Sequence, residues 1–349
     1  MTNKYGRRRF LGNTATLLGG WQLLGMERAF AAPAGMGKRV GIIGLDTSHS
    51  VAFAEALNAA APSVYHEYRV VAAYPPGSLD IESSVSRIPG YVAGMEAMGI
   101  TIVNSIEELL TRVDVVLLET NDGRRHLEQV IPVLKSGKRV FIDKPLAASL
   151  ADGIAIVELS RRFRTPVFSA SSLRFISTVK EVISGKVGKV LGADAYSPCE
   201  LEKTHPDFFW YGIHGVELLY AVMGKGCKMV SRTHSPYTDI AVGQWADGRT
   251  GTFRGTRTGI HAYGGTVFGE KNNAIIGPEE GYRVLLAEIA GFFQTGMAHV
   301  QPDESLEVLA FMEAADLSKQ RDGAPVSIEE VYNKALGEAH RILEKQSLV

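Results

Sequence analysis

The chain has 349 residues, of which 45% are hydrophobic and 21% are charged, and its formal net charge at pH 7 is −1. This is the composition of a globular protein with room for about two domains. A charge this close to zero excludes a protein that binds nucleic acid through an overall basic surface.

The first 31 residues have the features of an export signal. An arginine run at residues 7–9 precedes Phe10-Leu11, and a mildly apolar segment follows over residues 14–24. This segment is too short to stay in the membrane as an anchor. Ala29-Phe30-Ala31 is a small-x-small cleavage site. We therefore predict a twin-arginine signal cleaved after Ala31 and a periplasmic or otherwise exported protein without a stable membrane anchor. A basic N-terminal helix is the alternative interpretation.

The mature chain contains two cysteines, Cys199 and Cys227. Their surroundings show no spacing typical of zinc, so we predict no metal site. In an oxidising compartment the two thiols could pair or remain free, and the sequence leaves both possibilities open.

A strand, a glycine turn and a helix open the mature chain. Residues 38–44 form the predicted strand and residues 51–61 the helix. Such a helix N-terminus binds pyrophosphate, because free N–H groups and the helix dipole point at it. The fingerprint of this site is Gly-x-Gly-x-x-Gly. Here the three positions are Gly44, Asp46 and His49, so one glycine remains.

The residues of this turn allow two interpretations. In one, Gly44, Asp46, Thr47 and Ser48 contact the pyrophosphate of a dinucleotide. In the other, the turn is empty, and Asp46, Thr47 or Ser48 caps the helix.

The following segments alternate between strands and helices. The second strand, residues 68–73, leads into Pro75-Pro76-Gly77-Ser78 and lacks the acid that binds the ribose in NAD enzymes. NAD is therefore not specifically favoured, and NADP is allowed, with Ser78 or Arg87 as candidates for its phosphate. The alternation predicts an α/β domain over residues 38–165 with a doubly wound parallel sheet.

An acid and an amine follow the buried strand Val140–Ile142. Asp143-Lys144-Pro145 stands at its carboxyl end, which faces the ligand crevice in an open α/β sheet. Proline stops the strand and holds Lys144 in an extended or turn geometry. A solvated turn lysine is the alternative.

Residues 114–120, His126 and the segment 137–146 resemble the Gfo/Idh/MocA family of glucose–fructose oxidoreductase and inositol dehydrogenase, whose motif is usually Glu-Lys-Pro. The resemblance implies that Lys144 lies beside the nicotinamide and the substrate hydroxyl, often on a cis peptide bond to proline. It also implies that Thr120 and Asn121 flank the cofactor, and we add His126 to the cofactor-binding residues.

The second part of the chain, residues 166–349, contains several short strands separated by turn signals. We predict an α+β substrate and oligomerisation domain with a mostly antiparallel open sheet. By the resemblance, the open face of this sheet pairs with a copy of itself, so a homo-oligomer is expected. Arg174 stands at the family's Arg-Phe step and is a candidate for substrate binding.

His214 opens an apolar helix, where a lone histidine is more often a satisfied core residue. The resemblance places the family's catalytic histidine here. The family has an acid four residues earlier, where this chain has Trp210. An aromatic ring suits stacking on a sugar, and His205 or Asp207 could replace the missing acid. We predict Lys144 and His214 as catalytic residues and Arg174, His205 and Trp210 as substrate-binding residues.

These observations predict an exported oxidoreductase that acts on a sugar or polyol hydroxyl. Because no free nicotinamide pool exists outside the cytoplasm, the NAD or NADP has to be tightly retained. One alternative is an NAD-dependent glycosidase, epimerase or lyase that oxidises its sugar transiently. A second is a cofactor-free carbohydrate-binding protein on the same fold, since fold does not fix function.

Overall fold

The structure is a computed structural model that describes residues 37–61 and 63–346. The predicted export signal and its cleavage site after Ala31 lie outside this part of the chain. Two sheets organise the described residues, one of six strands and one of seven. A search of these residues finds no helix with the length and apolar character needed to cross a membrane.

The first sheet is parallel throughout, with the strand order β3-β2-β1-β4-β5-β6. This is the order of a doubly wound dinucleotide-binding fold. Its strands are β1 (Arg39–Ile43), β2 (Arg69–Tyr74), β3 (Thr101–Ile102), β4 (Val115–Leu118), β5 (Val140–Ile142) and β6 (Val167–Phe168). Its helices are α1 (Ser48–Ala59), α2 (Glu82–Val85), α3 (Ile88–Ala97), α4 (Ile106–Arg112), α5 (His126–Lys135) and α6 (Leu150–Phe163).

The second sheet has the order β12-β11-β7-β10-β9-β8-β13 and is antiparallel except for the pair β7 and β10. Its strands are β7 (Val190–Pro198), β8 (Cys227–His234), β9 (Thr238–Trp245), β10 (Thr250–Thr256), β11 (Gly264–Gly269), β12 (Asn273–Ile276) and β13 (Val326–Ser327). The helices of this part are α7 (Ser177–Ile183), α8 (Ile213–Met223), α9 (Arg283–Thr295), α10 (Pro302–Gln320) and α11 (Ile328–Lys345). The predicted fold class, a doubly wound parallel sheet followed by a mostly antiparallel one, is confirmed.

One strand and one helix of the part of the chain assigned to the second domain pack with the first sheet instead. Strand β6 pairs with β5 through Val167 and Phe168, so the first sheet extends past residue 165. Helix α9 returns from the second sheet and buries Phe292 and Phe293 in the core that covers β1 and α1. Both assignments depend on contacts between distant segments, which a local pattern does not report.

Helix α8 packs on the second sheet and faces the first one. Gly215, one residue after His214, packs so closely on Phe253 of β10 that a Cβ atom would overlap the ring. The helix therefore lies directly on the sheet and presents its first turn to the carboxyl ends of the parallel strands. Cys199 and Cys227 are both buried free thiols and do not pair.

Candidate active site

A cavity of about 190 Å³ lies where the carboxyl ends of β1, β4 and β5 meet the first turn of α8. The second domain thus closes the crevice of the first sheet, as expected for a ligand site at a switch in strand order. The structure brings six of the predicted site residues together in its wall: Thr47, Ser48, Asn121, Lys144, Trp210 and His214.

The glycine turn after β1 is preserved at its first position. Gly44 has a φ of +87°, and a Cβ atom there would overlap Thr120. Thr47 caps α1, because its hydroxyl oxygen accepts a hydrogen bond from the N–H of His49 at 3.4 Å. Of the three possible caps, the structure therefore uses Thr47, and Ser48 begins the helix beside the cavity.

Asp46 is fully buried and has protein partners for both oxygens. Oδ2 accepts from the N–H of Ser78 at 2.6 Å, and Oδ1 accepts from the N–H of Asn121 at 2.9 Å. Burial raises the pKa of this carboxyl, and the two backbone hydrogen bonds partly offset that effect. Asp46 therefore ties the end of β2 to the loop after β4. Its carboxylate does not line the cavity, and the predicted contact with a cofactor is not favoured by this geometry.

His49 occupies the third glycine position with a buried imidazole. Its Nδ1 lies 2.7 Å from Oδ2 of Asp143, at the end of β5. The ring stacks on Phe53 with 5.6 Å between centroids and meets the edge of Tyr282 at 4.6 Å. Sequence reasoning treated this position only as a lost glycine. The sequence feature that could have indicated a partner for His49 is Asp143, an aspartate where the family motif usually has glutamate.

Lys144 lies in the cavity wall at the end of β5 and is 8% exposed. Its peptide bond to Pro145 is cis, as the resemblance implied. Burial would raise the pKa of the neighbouring Asp143 carboxyl, but the charges of His49 and Lys144 bring it well below its usual range. Asp143 is therefore ionised beside the lysine at neutral pH.

Glu119 lies beside these residues, directly after β4. It is fully buried, and neither carboxylate oxygen has a hydrogen-bond partner. Burial, followed by the charge of Asp143, raises the pKa of Glu119 well above its usual range, although Lys144 opposes the shift. Sequence reasoning missed this residue because it reads as part of the buried strand.

His214 reaches the cavity from the start of α8. Its Nδ1 lies 3.0 Å from the Oγ of Ser171, so a hydroxyl takes the place of the expected carboxylate partner. Burial lowers the pKa of His214 well below its usual range, and the charges of Lys144 and His49 lower it further. The imidazole is therefore neutral at pH 7 and available to accept a proton.

The two residues considered as replacements for the missing acid lie elsewhere. Asp207 forms ion pairs with Arg232 and Lys319, both at 2.6 Å. His205 lies 3.2 Å from Asp122 through its Nε2 and packs against Trp210 with 5.0 Å between ring centroids. His205 thus supports the indole from behind, and neither residue bonds to His214.

Three other predicted site residues have buried partners within the protein. Arg174 is ion-paired with Glu217 and Glu304 and does not line the cavity. The hydroxyl of Thr120 donates to Gln129 at 2.7 Å. The ring of His126 lies between the carbonyl oxygens of Thr120 at 2.7 Å and Leu146 at 3.2 Å. These geometries favour structural roles, and the ligand contacts predicted for the three residues stay predictions.

The comparisons with known proteins agree with this architecture. Residues 38–170 match the family model GFO_IDH_MocA, described as an oxidoreductase family with an NAD-binding Rossmann fold. A search of curated protein sequences gives no match.

Solved structures with the same fold cover both domains. A "probable dehydrogenase" from Thermotoga maritima superimposes with a TM-score of 0.69 at 21% identity, covering 84% of this chain and 99% of that one. Scyllo-inositol dehydrogenase from Lactobacillus casei, solved with NAD(H) and scyllo-inositol, gives a TM-score of 0.68 at 15% identity over 83% of this chain and 99% of that one. An NAD-binding protein from Listeria innocua gives 0.62 at 18% identity over 85% and 99%. At these identities the likeness concerns the fold.

A nicotinamide dinucleotide is the cofactor that such a domain implies, and several residues of the cavity fit it. Thr47 and Ser48 at the start of α1 line the same cavity as Asn121 and Lys144. Gly44 supplies the tight turn that precedes them. The start of a helix binds the phosphates of such a cofactor, and the carboxyl ends of the parallel strands face its binding crevice.

The pyrophosphate end differs from the usual fingerprint. The second and third glycines of the fingerprint let the backbone approach the pyrophosphate and let the helix pack on the strand. In this chain those positions hold the buried side chains of Asp46 and His49. The cavity of about 190 Å³ is also below the roughly 300 Å³ at which small-molecule pockets usually begin. Residues 38–170 thus resemble the Gfo/Idh/MocA oxidoreductases in sequence and have the NAD-binding Rossmann fold of that family model, and the predicted enzyme class, an NAD(P)-dependent oxidoreductase, is confirmed.

Proposed function

We propose that this protein is an exported oxidoreductase that oxidises a hydroxyl of a sugar or polyol and keeps its nicotinamide cofactor tightly bound. The observation that carries the proposal is the convergence of Lys144 and His214 on one cavity at the carboxyl ends of the parallel strands. An amine from the first domain and a neutral imidazole from the second face the same space there.

The two residues have complementary roles in removing a proton from a hydroxyl. Lys144 donates a hydrogen bond to the substrate oxygen and stabilises the negative charge that develops on it. When Nδ1–H of His214 donates to the Oγ of Ser171, Nε2 carries the free lone pair that accepts the hydroxyl proton. The cofactor, when bound, supplies the hydride acceptor.

Trp210 supports a carbohydrate as the substrate class. Its indole lines the cavity and is held by His205. The apolar face of a sugar ring stacks on such an indole, while its hydroxyls reach polar groups in the same wall. The L. casei neighbour is a scyllo-inositol dehydrogenase, which favours a polyol of similar size for this cavity.

Export and cofactor retention depend on each other in this proposal. The predicted twin-arginine signal directs a folded protein to a compartment without a nicotinamide pool, so the cofactor has to travel with the protein. Transient oxidation during epimerisation, elimination or glycoside cleavage fits the same residues. The product distinguishes net oxidation from transient oxidation. Net oxidation gives a ketone or lactone, whereas transient oxidation gives an isomer, an alkene or a cleaved glycoside.

A second candidate function, cofactor-free carbohydrate binding, is favoured by one observation. Asp46 and His49 are buried side chains at two positions that are glycine in the dinucleotide fingerprint. This candidate needs Trp210 and the cavity but not hydride transfer.

Mass spectrometry of the denatured protein separates the two candidates. The protein is expressed with its predicted export signal, purified and then denatured, and we expect it to release nicotinamide dinucleotide. The mass of the released nucleotide distinguishes NAD from NADP. Protein that releases no nucleotide and shows no thermal shift with NAD or NADP would be a binding protein. A thermal shift with inositols or hexoses in that case would assign it to carbohydrates.

A further inference from the structure

Three buried side chains with metal-binding atoms meet beneath the wall of the cavity. His49 comes from the first turn of α1, Glu119 follows β4 directly, and Asp143 follows β5 directly. Adjacent parallel strands end at the same edge of a sheet, so the two carboxylates face a common space, and the imidazole closes it from the helix. One ligand atom from each residue lies within 4.8 Å of the other two.

The oxygens of this cluster are not satisfied by the protein. Glu119 is fully buried, and neither Oε1 nor Oε2 has a hydrogen-bond partner. Asp143 is 1% exposed, with Oδ2 next to Nδ1 of His49 and Oδ1 without a partner. Three buried oxygen atoms without donors are strongly unfavourable unless something bonds to them.

Neighbouring groups do not fill this requirement. Lys144 is next to Asp143 in the chain, but its side chain lines the cavity and does not donate to Glu119. A cation satisfies all three oxygens at once, because it bonds to several ligands simultaneously.

We propose that His49, Glu119 and Asp143 bind a divalent first-row metal ion, Zn²⁺ or Mn²⁺. One imidazole and two carboxylates form a ligand set that suits these ions. Metal–ligand bonds of about 2.0–2.2 Å place ligand atoms roughly 3–4 Å apart. The three ligand atoms already lie within 4.8 Å of one another, so small shifts bring them to this spacing.

The ion would join three elements of the candidate active site. It would hold the start of α1 to the ends of β4 and β5, directly beside Lys144 and next to a wall that His49 itself forms. Three protein ligands leave a coordination position open, as in catalytic zinc sites. Sequence spacing could not predict this site, because its ligands come from three separate segments.

Metal analysis of the full chain tests the proposal. The protein is stripped with a chelator, loaded with Zn²⁺ or Mn²⁺, desalted, and measured by plasma mass spectrometry and by thermal unfolding. We expect about one ion per chain and a higher Tm in the loaded protein. Glu119→Gln keeps the side-chain shape and should weaken affinity by at least about 100-fold, the upper range for loss of a supporting group. Glu313→Gln, the same change at a carboxylate outside the cluster, should bind like the wild type.

Two results would overturn the proposal. Loaded wild-type protein that retains no metal would do so, as would equal affinity in Glu119→Gln. If Glu119→Gln does not fold, the Mn²⁺-loaded wild type is labelled with ¹⁵N-histidine and examined by electron paramagnetic resonance. A nitrogen coupling to the ion is expected, and its absence contradicts the site. None of these measurements depends on whether nicotinamide is bound, so they are independent of the proposed oxidoreductase function.

Discussion

Nδ1 of His49 lies 2.7 Å from Oδ2 of Asp143, and this pair joins the first turn of α1 to the end of β5. The imidazole stands at a position that is glycine in the dinucleotide fingerprint, so the crevice is narrowed by a side chain at this point. Lys144 follows Asp143 directly and lines the same cavity as the two histidines His49 and His214.

Removal of the Lys144 amine should abolish most of the turnover. We expect Lys144→Ala to lower kcat by about 100-fold or more, since the alkoxide loses its electrostatic partner. The assay is steady-state oxidation of the preferred polyol, with Tm as a check on folding. Lys228→Ala, at an exposed lysine on β8, is the matched control and should keep full activity. Unchanged turnover in Lys144→Ala would remove this lysine from the chemistry.

Loss of the His214 imidazole should slow the removal of the proton from the substrate hydroxyl. His214→Gln is expected to reduce kcat by about 10²- to 10⁴-fold, the range for a general base. Ser171→Ala should give a smaller loss, because Ser171 only orients the ring through its contact at 3.0 Å. His340→Gln, at an exposed position on α11, serves as the control. A His214→Gln enzyme as active as the wild type would assign proton removal to another group.

The pH dependence of oxidation should reflect the lowered pKa of His214. The folded enzyme keeps its imidazole neutral below pH 6.5, so kcat should stay level through that value and fall only at lower pH. His214→Gln should lose this acidic limb. A wild-type rate that already falls above pH 6.5 would contradict the assignment.

The same group makes folding stability sensitive to acid. Because the pKa of His214 is lower in the folded than in the unfolded state, the unfolded chain binds more protons as the pH falls below about 6.5. Stability from this residue is therefore present above that pH and decreases below it. Chemical unfolding at pH 7 and at pH 5 should show a smaller decrease for His214→Gln than for the wild type. An equal decrease would mean that other groups account for the acid sensitivity.

The Asp46 carboxylate should contribute to stability as a link between β2 and β4. Asp46→Ala leaves the N–H groups of Ser78 and Asn121 without their acceptor, and each unsatisfied buried donor costs about 1–3 kcal/mol. Asp80→Ala removes a surface ion pair with Arg124 and should have a much smaller effect on stability. Denaturant unfolding measures both changes. Equal losses in the two variants would contradict the structural role of Asp46.

The open face of the second sheet is expected to pair with a copy of this chain. It exposes Tyr196, Phe268 and Ile275 on the strands β7, β11 and β12. Light scattering on the wild type should give a dimer or larger species, and Tyr196→Glu should shift it toward the monomer. Tyr237→Glu, at an exposed tyrosine in the turn between β8 and β9, should leave the mass unchanged. A monomeric wild type would refute the expectation.

The sequence was sufficient to predict the doubly wound parallel sheet, because its strands and helices carried local signals. Lys144 and His214 were also predictable, since motif and resemblance placed them at a strand end and a helix start. The structure adds that they line the same cavity. The cis bond before Pro145 followed from the resemblance and is present.

Residues whose surroundings come from distant segments were not predictable. Glu119 looks like any buried strand residue until Asp143 and His49 are placed beside it. Arg174 was expected at the substrate, but Glu217 and Glu304 surround its guanidinium. In both cases the deciding contact joins segments far apart in the chain, where composition and periodicity carry no information.

The proposed oxidoreductase function requires hydride to leave a substrate carbon in this cavity, and isotope transfer measures that step directly. The purified protein is incubated with inositols and hexoses carrying deuterium on the hydroxyl-bearing carbons, and the released nicotinamide is analysed by mass spectrometry. We predict that nicotinamide from the wild type gains deuterium and that nicotinamide from Lys144→Ala does not. Wild-type protein that binds the sugar while its nicotinamide gains no deuterium, or that holds no nicotinamide, would contradict the oxidoreductase function.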